Sequence, residues 1–83
     1  MNTPEEIYRR MLVVMEELFD IDPQQVSLQS RLYEDLDIDS IDAVDLIVEL
    51  KKITGKKLQP DDFKSVRSVQ DMVDSVYRLL HGD

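Results

Sequence analysis

Apolar residues recur at spacings of three and four between positions 7 and 18, which places them along one face of a helix. Ahead of this stretch, Thr3-Pro4-Glu5-Glu6 supplies an N-cap, a proline at the first helical position and an acid three residues after the cap. The pattern predicts an amphipathic helix that begins at Pro4 with a reciprocal capping box and ends at the breaker in positions 20–23.

Residues 21–38 show neither a helical period nor strict alternation of apolar and polar residues, which predicts a long loop. A loop of this length is uncommon in a compact domain unless it is anchored. Four apolar residues are therefore expected to tuck into the core: Val26, Leu28, Leu32 and Leu36.

A second helix is indicated by Asp39, which is suited to the N-cap, and by Gly55, which stops the helix after Thr54. Proline followed by two acids predicts a short element over residues 60–63. Further along, Ser68-Val69-Gln70-Asp71 is another cap with an acid three residues later, and an apolar stripe follows it.

This last helix is expected to end near residues 81–82, and no segment alternates for long enough to build a sheet. The sequence therefore predicts an all-α fold. It is a small bundle of three main helices and one short helix, with a long loop after the first helix.

On a helical wheel the second helix carries two apolar stripes. The first stripe is assigned to the core and contains Ala43, Leu46, Ile47, Leu50 and Ile53. The second stripe lies on nearly the opposite side and contains Ile41, Val44 and Val48. It is bordered by Asp42, Asp45 and Glu49 on one flank and by Ser40 on the other. A small domain cannot cover much of a helix, so the second stripe predicts a docking surface.

Composition narrows the possible functions of this 83-residue chain. Ten Lys and Arg residues stand against 18 Asp and Glu residues, a formal net charge of −8, which argues against nucleic acid or an anionic membrane as the main ligand. The absence of Cys excludes disulfides and thiolate sites, and no apolar run is long enough to span a bilayer. We expect one domain over residues 1–83, a cytoplasmic monomer without membrane insertion, and partners with basic surfaces.

Seven acids lie between Arg31 and Lys51 without an intervening base: Glu34, Asp35, Asp37, Asp39, Asp42, Asp45 and Glu49. Three of them match the first ligand positions of a calcium-binding loop, but Ser40 stands where that loop needs Gly and Leu46 where it needs Glu. The pattern predicts no dedicated metal site, although loose binding of divalent cations to the acids is expected.

Ser40 is the candidate site residue. Because Asp39 can serve as the cap, a serine in the first turn is free to carry a phosphate, whose charge the helix dipole stabilises. Catalysis by Ser40 is not supported, since His81 is the only histidine and lies at the far end of the chain.

The stretch Glu34-Asp35-Leu36-Asp37-Ile38-Asp39-Ser40-Ile41-Asp42 resembles the attachment motif of the acyl carrier proteins of the phosphopantetheine-binding family. The resemblance covers nearly the whole chain. It implies that a phosphopantetheinyl transferase attaches 4'-phosphopantetheine covalently to Ser40, beside Asp39, and that acyl chains are carried as thioesters. It also implies a carrier without catalytic activity of its own, serving enzymes of fatty-acid-like or polyketide-like biosynthesis.

By the same resemblance, the partners are a ketosynthase and an acyltransferase or acyl-ACP ligase with basic docking surfaces. Recognition is expected from the acids and the second stripe of the second helix, together with Val66, while Leu46 and Leu50 are expected to border the acyl pocket. The residues assigned to recognition are Ile41, Asp42, Val44, Asp45, Val48, Glu49 and Val66.

Three positions depart from the family pattern: Asp37 stands where many members have Gly, Arg67 where a small hydroxyl residue is common, and Ile41 where Leu is usual. Runs 39–46 and 53–56 resemble, more loosely, stand-alone carriers of specialised bacterial pathways such as aryl polyene clusters. Two alternatives remain open, a peptidyl or aminoacyl carrier and an unmodified acidic interaction bundle. The acids around Ser40 favour the acyl carrier over the peptidyl carrier, and an interaction bundle would not need a serine beside the docking stripe.

Overall fold

The computed structural model describes residues 3–55 and 58–82, which form three α-helices and two connections. The helices are α1 (Pro4–Phe19), α2 (Ser40–Thr54) and α3 (Val69–Leu80). A short 3₁₀ helix lies in each connection, Pro23–Gln25 in the first and Pro60–Phe63 in the second. The predicted all-α bundle is confirmed, and Pro23–Gln25 is an additional turn that the sequence pattern did not reveal.

The helix ends follow from local side-chain and backbone chemistry. At the start of α1, the Thr3 hydroxyl accepts the Glu6 amide hydrogen at 3.2 Å, and the Glu6 carboxylate accepts a hydrogen bond from the Thr3 hydroxyl at 3.3 Å. The expected reciprocal bond to the cap backbone is thus replaced by a bond between the two side chains. At the end of α2, Gly55 has φ 70°, a left-handed conformation that glycine adopts without steric cost and that terminates the helix.

The core is built where α1 packs against α3 and against one face of α2. The loop after α1 contributes as expected, since Val26 and Leu32 are buried and Leu28 and Leu36 are partly buried against the core. Ile38 is also buried just before α2, which the sequence did not single out. These anchors fix the approach of the chain to the start of α2.

Backbone hydrogen bonds tie the loop after α1 to the start of α3. The amide of Leu32 donates to the Arg67 carbonyl, and the amides of Val69 and Gln70 donate to carbonyls of residues 28–30, each at 2.9 Å. An isolated antiparallel bridge joins the neighbouring residues of the two segments. The first turn of α3 therefore uses carbonyl groups of the loop to satisfy amides that have no partner inside the helix.

Candidate functional site at the start of the second helix

Ser40 is the first residue of α2 and is exposed. The N-cap is Asp39, whose carboxylate accepts the backbone N–H of Asp42 at 2.8 Å, as the sequence predicted. Within residues 3–55 and 58–82, the Ser40 hydroxyl has no hydrogen-bond partner. Because Asp39 caps the helix, the Ser40 oxygen is available for covalent chemistry at the positive end of the helix dipole.

The turn that presents Ser40 is held by its own hydrogen bonds. The Asp35 carboxylate accepts the Arg31 amide hydrogen at 2.8 Å, and the Ile38 amide donates to the Leu32 carbonyl at 2.9 Å. Asp37 has φ 57°, a left-handed conformation that Asp adopts more readily than most residues. Asp at this position therefore has the backbone geometry that glycine favours, and the turn leads directly into α2.

The second apolar stripe of α2 faces solvent. Ile41 is 73% exposed, Val44 41% and Val48 43%, whereas the core stripe of the same helix is buried at Leu46, Ile47 and Leu50. We call the three exposed residues Ile41, Val44 and Val48 the exposed stripe. Its solvent exposure agrees with the helical-wheel analysis.

Three carboxylates accompany the exposed stripe. Asp45 is exposed, and Asp42 and Glu49 are half-buried. Glu49 forms an ion pair with Lys52 at 3.4 Å. Asp42 and Asp45 have no ion-pair partner among the described residues. An apolar strip edged by unpaired negative charge suits a partner surface that is apolar at its centre and basic at its rim.

A cavity of about 150 Å³ opens beside Ser40. It lies between the start of α2, the loop before α2 and the segment that leads into α3. Its lining residues are Leu32, Tyr33, Ser40, Ala43, Val44, Ile47, Pro60, Phe63, Lys64, Val66 and Met72. The walls are thus mainly apolar, and the Ser40 side chain lies at the cavity.

Three residues that were assigned to the site, Leu46, Leu50 and Val66, are buried in the structure. Leu46 and Leu50 are fully buried in the core and are not among the residues that line this cavity; Ala43 and Ile47 line it from α2 instead. Val66 is only 7% exposed and forms part of the cavity wall. The recognition role of Val66 and the pocket role of Leu46 and Leu50 remain predictions.

Ser40, Ala43 and Ile47 share one helix face by spacing, a signal that the sequence does contain. Tyr33, Phe63 and Lys64 come from distant segments, and no local pattern indicates that they line the same cavity.

Within the described ranges, no group of three or more His, Asp or Glu side chains could hold a metal ion. No helix among the described residues is long and apolar enough to cross a membrane.

The chain matches the family model described as "Phosphopantetheine attachment site" over residues 9–76. The chain belongs to the phosphopantetheine-attachment family. This confirms the predicted family and a covalently attached 4'-phosphopantetheine group.

Relatives and a solved structure identify the chain as an acyl carrier protein, which confirms the predicted acyl-carrier function. "Acyl carrier protein 2" of Ralstonia nicotianae is 46% identical over 78 residues, which cover 94% of this chain and 96% of the relative. "Acyl carrier protein" of Thermotoga maritima is 30% identical over 80 residues, covering 96% of this chain and 99% of the relative. The solved acyl carrier protein of Enterococcus faecalis has a TM-score of 0.73 at 27% identity, covering 93% of this chain and 98% of that one.

The start of α2 fits a covalently attached phosphodiester. Ser40 is exposed, and its hydroxyl has no partner among the described residues. The adjoining cavity offers apolar walls to a group attached at Ser40. When bound, the 4'-phosphopantetheine group supplies a flexible arm that ends in a thiol, which carries acyl groups as thioesters.

Proposed function

We propose that Ser40 is the residue that carries 4'-phosphopantetheine, and that the chain presents acyl groups on this arm to partner enzymes without catalysing a reaction itself. The observation that carries the proposal is that two neighbouring residues at the start of α2 have different roles. Asp39 binds the free backbone amide of the first turn, and the Ser40 hydroxyl is left without a partner in the described part of the chain.

The modification step requires only the Ser40 oxygen from this chain. Ser40 Oγ attacks the pantetheine-side phosphorus of coenzyme A, the pyrophosphate P–O bond breaks, and 3',5'-ADP leaves. The Ser40 proton passes to a base of the phosphopantetheinyl transferase. Asp39 supports the step by keeping the first turn of α2 closed, so that Ser40 remains exposed at the helix start.

Recognition by partner enzymes is assigned to α2. The exposed stripe supplies the apolar centre of the contact, and Asp42, Asp45 and Glu49 supply negative charge along its edge. A phosphopantetheinyl transferase, a ketosynthase and an acyltransferase or acyl-ACP ligase with basic docking surfaces fit this arrangement. The charges steer the encounter, while the stripe contributes area removed from water on docking.

The cavity beside Ser40 is proposed to shelter the first part of a carried acyl chain. Its apolar walls include Ile47, Phe63 and Val66, and the core residues Leu46 and Leu50 lie on the adjacent face of α2. Val66 would contribute to this cavity wall and to the shape of the docking surface. The biosynthetic pathway, specialised or primary, and a cytoplasmic location remain predictions from the sequence.

Intact-mass measurement tests the attachment residue. The apo protein is incubated with coenzyme A and a phosphopantetheinyl transferase. We expect a mass increase of one phosphopantetheine for the parent protein and none for Ser40→Ala, with equal helical circular dichroism. Ser65→Ala is the matched control, because Ser65 is an exposed serine outside the helices, and it should be modified like the parent. An unchanged mass increase in Ser40→Ala would show that another residue is the attachment site.

A further inference from the structure

Lys64 is the only charged residue among the described residues that line the cavity beside Ser40. It directly follows the 3₁₀ helix Pro60–Phe63, and its amide donates to the Asp61 carbonyl at 3.5 Å. The side chain is exposed and takes part in none of the ion pairs formed within residues 3–55 and 58–82. Lys64 therefore brings to this cavity a positive charge that no ion pair among the described residues accounts for.

The two acids that precede Lys64, Asp61 and Asp62, form no ion pair with it within the described part of the chain. The Asp62 carboxylate is engaged at the start of its own 3₁₀ helix, where it accepts the Gln59 amide hydrogen at 3.1 Å. Asp61 is exposed and forms no ion pair within the described part of the chain. In a chain with a net charge of −8, Lys64 supplies positive charge to a cavity whose other lining residues are uncharged.

Tyr33 adds a second unpartnered donor to the same cavity. Its side chain is 50% exposed, and its hydroxyl has no hydrogen-bond partner among the described residues. The hydroxyl of Tyr8, by contrast, donates to the Val26 carbonyl at 3.1 Å and helps to anchor the loop. Tyr33 thus lines the cavity of Ser40 and has a hydroxyl that the fold does not use.

We propose that Lys64 and Tyr33 are positioning residues for the phosphodiester of the 4'-phosphopantetheine arm. The Lys64 ammonium pairs with a phosphate oxygen, and the Tyr33 hydroxyl donates a hydrogen bond to the same group, which holds the base of the arm at the cavity mouth. A phosphodiester is a permanent anion at neutral pH, and a lysine ammonium is suited to bind it as a point charge. This inference rests on the proposed attachment at Ser40.

The test compares modified forms of four proteins: the parent, Lys64→Gln, Lys64→Arg and Lys51→Gln. Lys51 is the matched control, because it is an exposed lysine of α2 that lies 11 residues from Ser40, about 16 Å along the helix. Intact mass first confirms that each protein carries one arm. Phosphorus-31 NMR then reports the surroundings of the phosphodiester, and the anisotropy of a fluorophore on the arm thiol reports the mobility of the arm.

We expect Lys64→Gln to lower the ratio of docked to free arm about two- to fivefold, the range for one exposed ion pair. Lys64→Arg should behave like the parent, and Lys51→Gln should have no effect. Raising ionic strength from about 0.01 M to 1 M should move the parent toward Lys64→Gln, since the Debye length falls roughly tenfold. Tyr33→Phe, which retains the ring, should shift the phosphorus resonance in the same direction by a smaller amount.

Two negative outcomes have different meanings. If the proteins are modified but parent, Lys64→Gln and Lys51→Gln give the same phosphorus shift and anisotropy at low salt, the inference about Lys64 is wrong and the attachment at Ser40 stands. If the parent shows no mass increase, or Ser40→Ala is modified like the parent, the proposed attachment at Ser40 is wrong and the inference is overturned with it. Thermal melting of each variant verifies that the bundle is intact.

Discussion

Two serines stand at the starts of α2 and α3, and they differ by one position relative to the helix cap. Ser68 is the N-cap of α3, where its hydroxyl accepts the Asp71 amide hydrogen at 3.1 Å and the Asp71 carboxylate accepts the Ser68 amide hydrogen at 3.3 Å. Ser40 lies one residue inside α2, because Asp39 occupies the cap. The Ser68 hydroxyl is engaged by the backbone, and the Ser40 hydroxyl is free for covalent chemistry.

The surroundings of the two helix starts differ in the same way. The start of α3 is covered by the loop after α1, whose carbonyls accept hydrogen bonds from Val69 and Gln70. The start of α2 carries an exposed serine followed by Ile41, the most exposed residue of the stripe. A serine at a helix start thus keeps its hydroxyl free when a preceding residue takes over the capping role.

The largest expected difference comes from removing each hydroxyl in turn. Ser40→Ala should lose modification completely and keep the free energy of unfolding within about 0.5 kcal/mol, as for an exposed residue that makes no bond. Ser68→Ala should be modified normally and lose about 1 kcal/mol of stability, the usual cost of removing a serine cap. Mass spectrometry and urea unfolding measure the two effects. Equal loss of stability in both variants would contradict the assignment of the two serines.

A second prediction tests the proposal that partner enzymes dock on α2. Asp45→Lys or Glu49→Lys should slow acyl or phosphopantetheinyl transfer about three- to tenfold at low salt, because opposite charges steer the encounter. Glu16→Lys reverses an exposed acid of α1 and should have little effect. Transfer rates measured at rising ionic strength check the mechanism, since the difference should shrink as the charges are screened.

A separate substitution tests the apolar part of the same surface. Val44→Asp should impair docking at every salt concentration while leaving the melting temperature near that of the parent, because Val44 is 41% exposed. Equal effects of the α1 and α2 reversals, or a Val44→Asp protein that unfolds, would remove the support for a localised docking surface on α2.

A smaller effect is expected from repulsion among the acids of α2. Three like-charge pairs lie at helical neighbour spacing, Asp39 with Asp42, Asp42 with Asp45, and Asp45 with Glu49, and together they cost roughly 0.6 to 1.5 kcal/mol. Millimolar Mg²⁺ or Ca²⁺ should therefore raise the melting temperature by several degrees through screening and loose binding. Replacing Asp42 by Asn and Asp45 by Ser should raise it without added cation and should weaken the cation response.

The control for this experiment removes two acids from α1, Glu16→Gln with Glu17→Gln, which changes the net charge equally. A larger gain in the α2 variant shows that the repulsion is local. Unchanged melting with cations, together with earlier melting of the α2 variant, would mean that the acids stabilise the helix through capping and the dipole.

The smallest expected effect concerns the pH dependence of the α3 cap. Backbone hydrogen bonds from Arg67 and Ser68 lower the pKa of the Asp71 carboxyl from its usual value of 3.8. A depressed pKa in the folded state adds stability above the pKa of the unfolded chain and loses it as pH falls through the folded value. The stability difference between the parent and Asp71→Asn should thus be greatest above about pH 4 and should shrink below it, as measured by urea unfolding. A difference that grows on acidification would contradict this origin.

The helix boundaries could be predicted because each depends on a few neighbouring residues. Asp39 caps the start of α2, Gly55 caps its end, and Ser68 caps the start of α3. Each of these caps depends on hydrogen bonds that span at most four positions. The exposed stripe could also be predicted, since a helical wheel requires only the local sequence and the small size of the domain. The proposal that Ser40 is the attachment residue also uses local sequence, because it rests on the position of Ser40 beside a residue able to cap.

The cavity could not be predicted from the sequence because it forms between segments that are far apart in the chain. Tyr33 and Lys64 meet there only after the loop and the second 3₁₀ helix have packed against α2. On a helical wheel, Leu46 and Leu50 lie only about 20° to 100° from the lining residues Ala43 and Ile47. The wheel therefore marks the inner side of α2 but does not distinguish core positions from cavity positions.

The backbone hydrogen bonds between residues 28–32 and 67–70 have a consequence for the thermodynamics of partner binding. They join the loop before α2 and the first turn of α3 into one unit, so the amides of Leu32, Val69 and Gln70 should exchange with solvent only when both segments open together. The loop that presents Ser40 is therefore already ordered before an enzyme arrives. Docking need not immobilise it, which reduces the entropic cost of forming a short-lived complex.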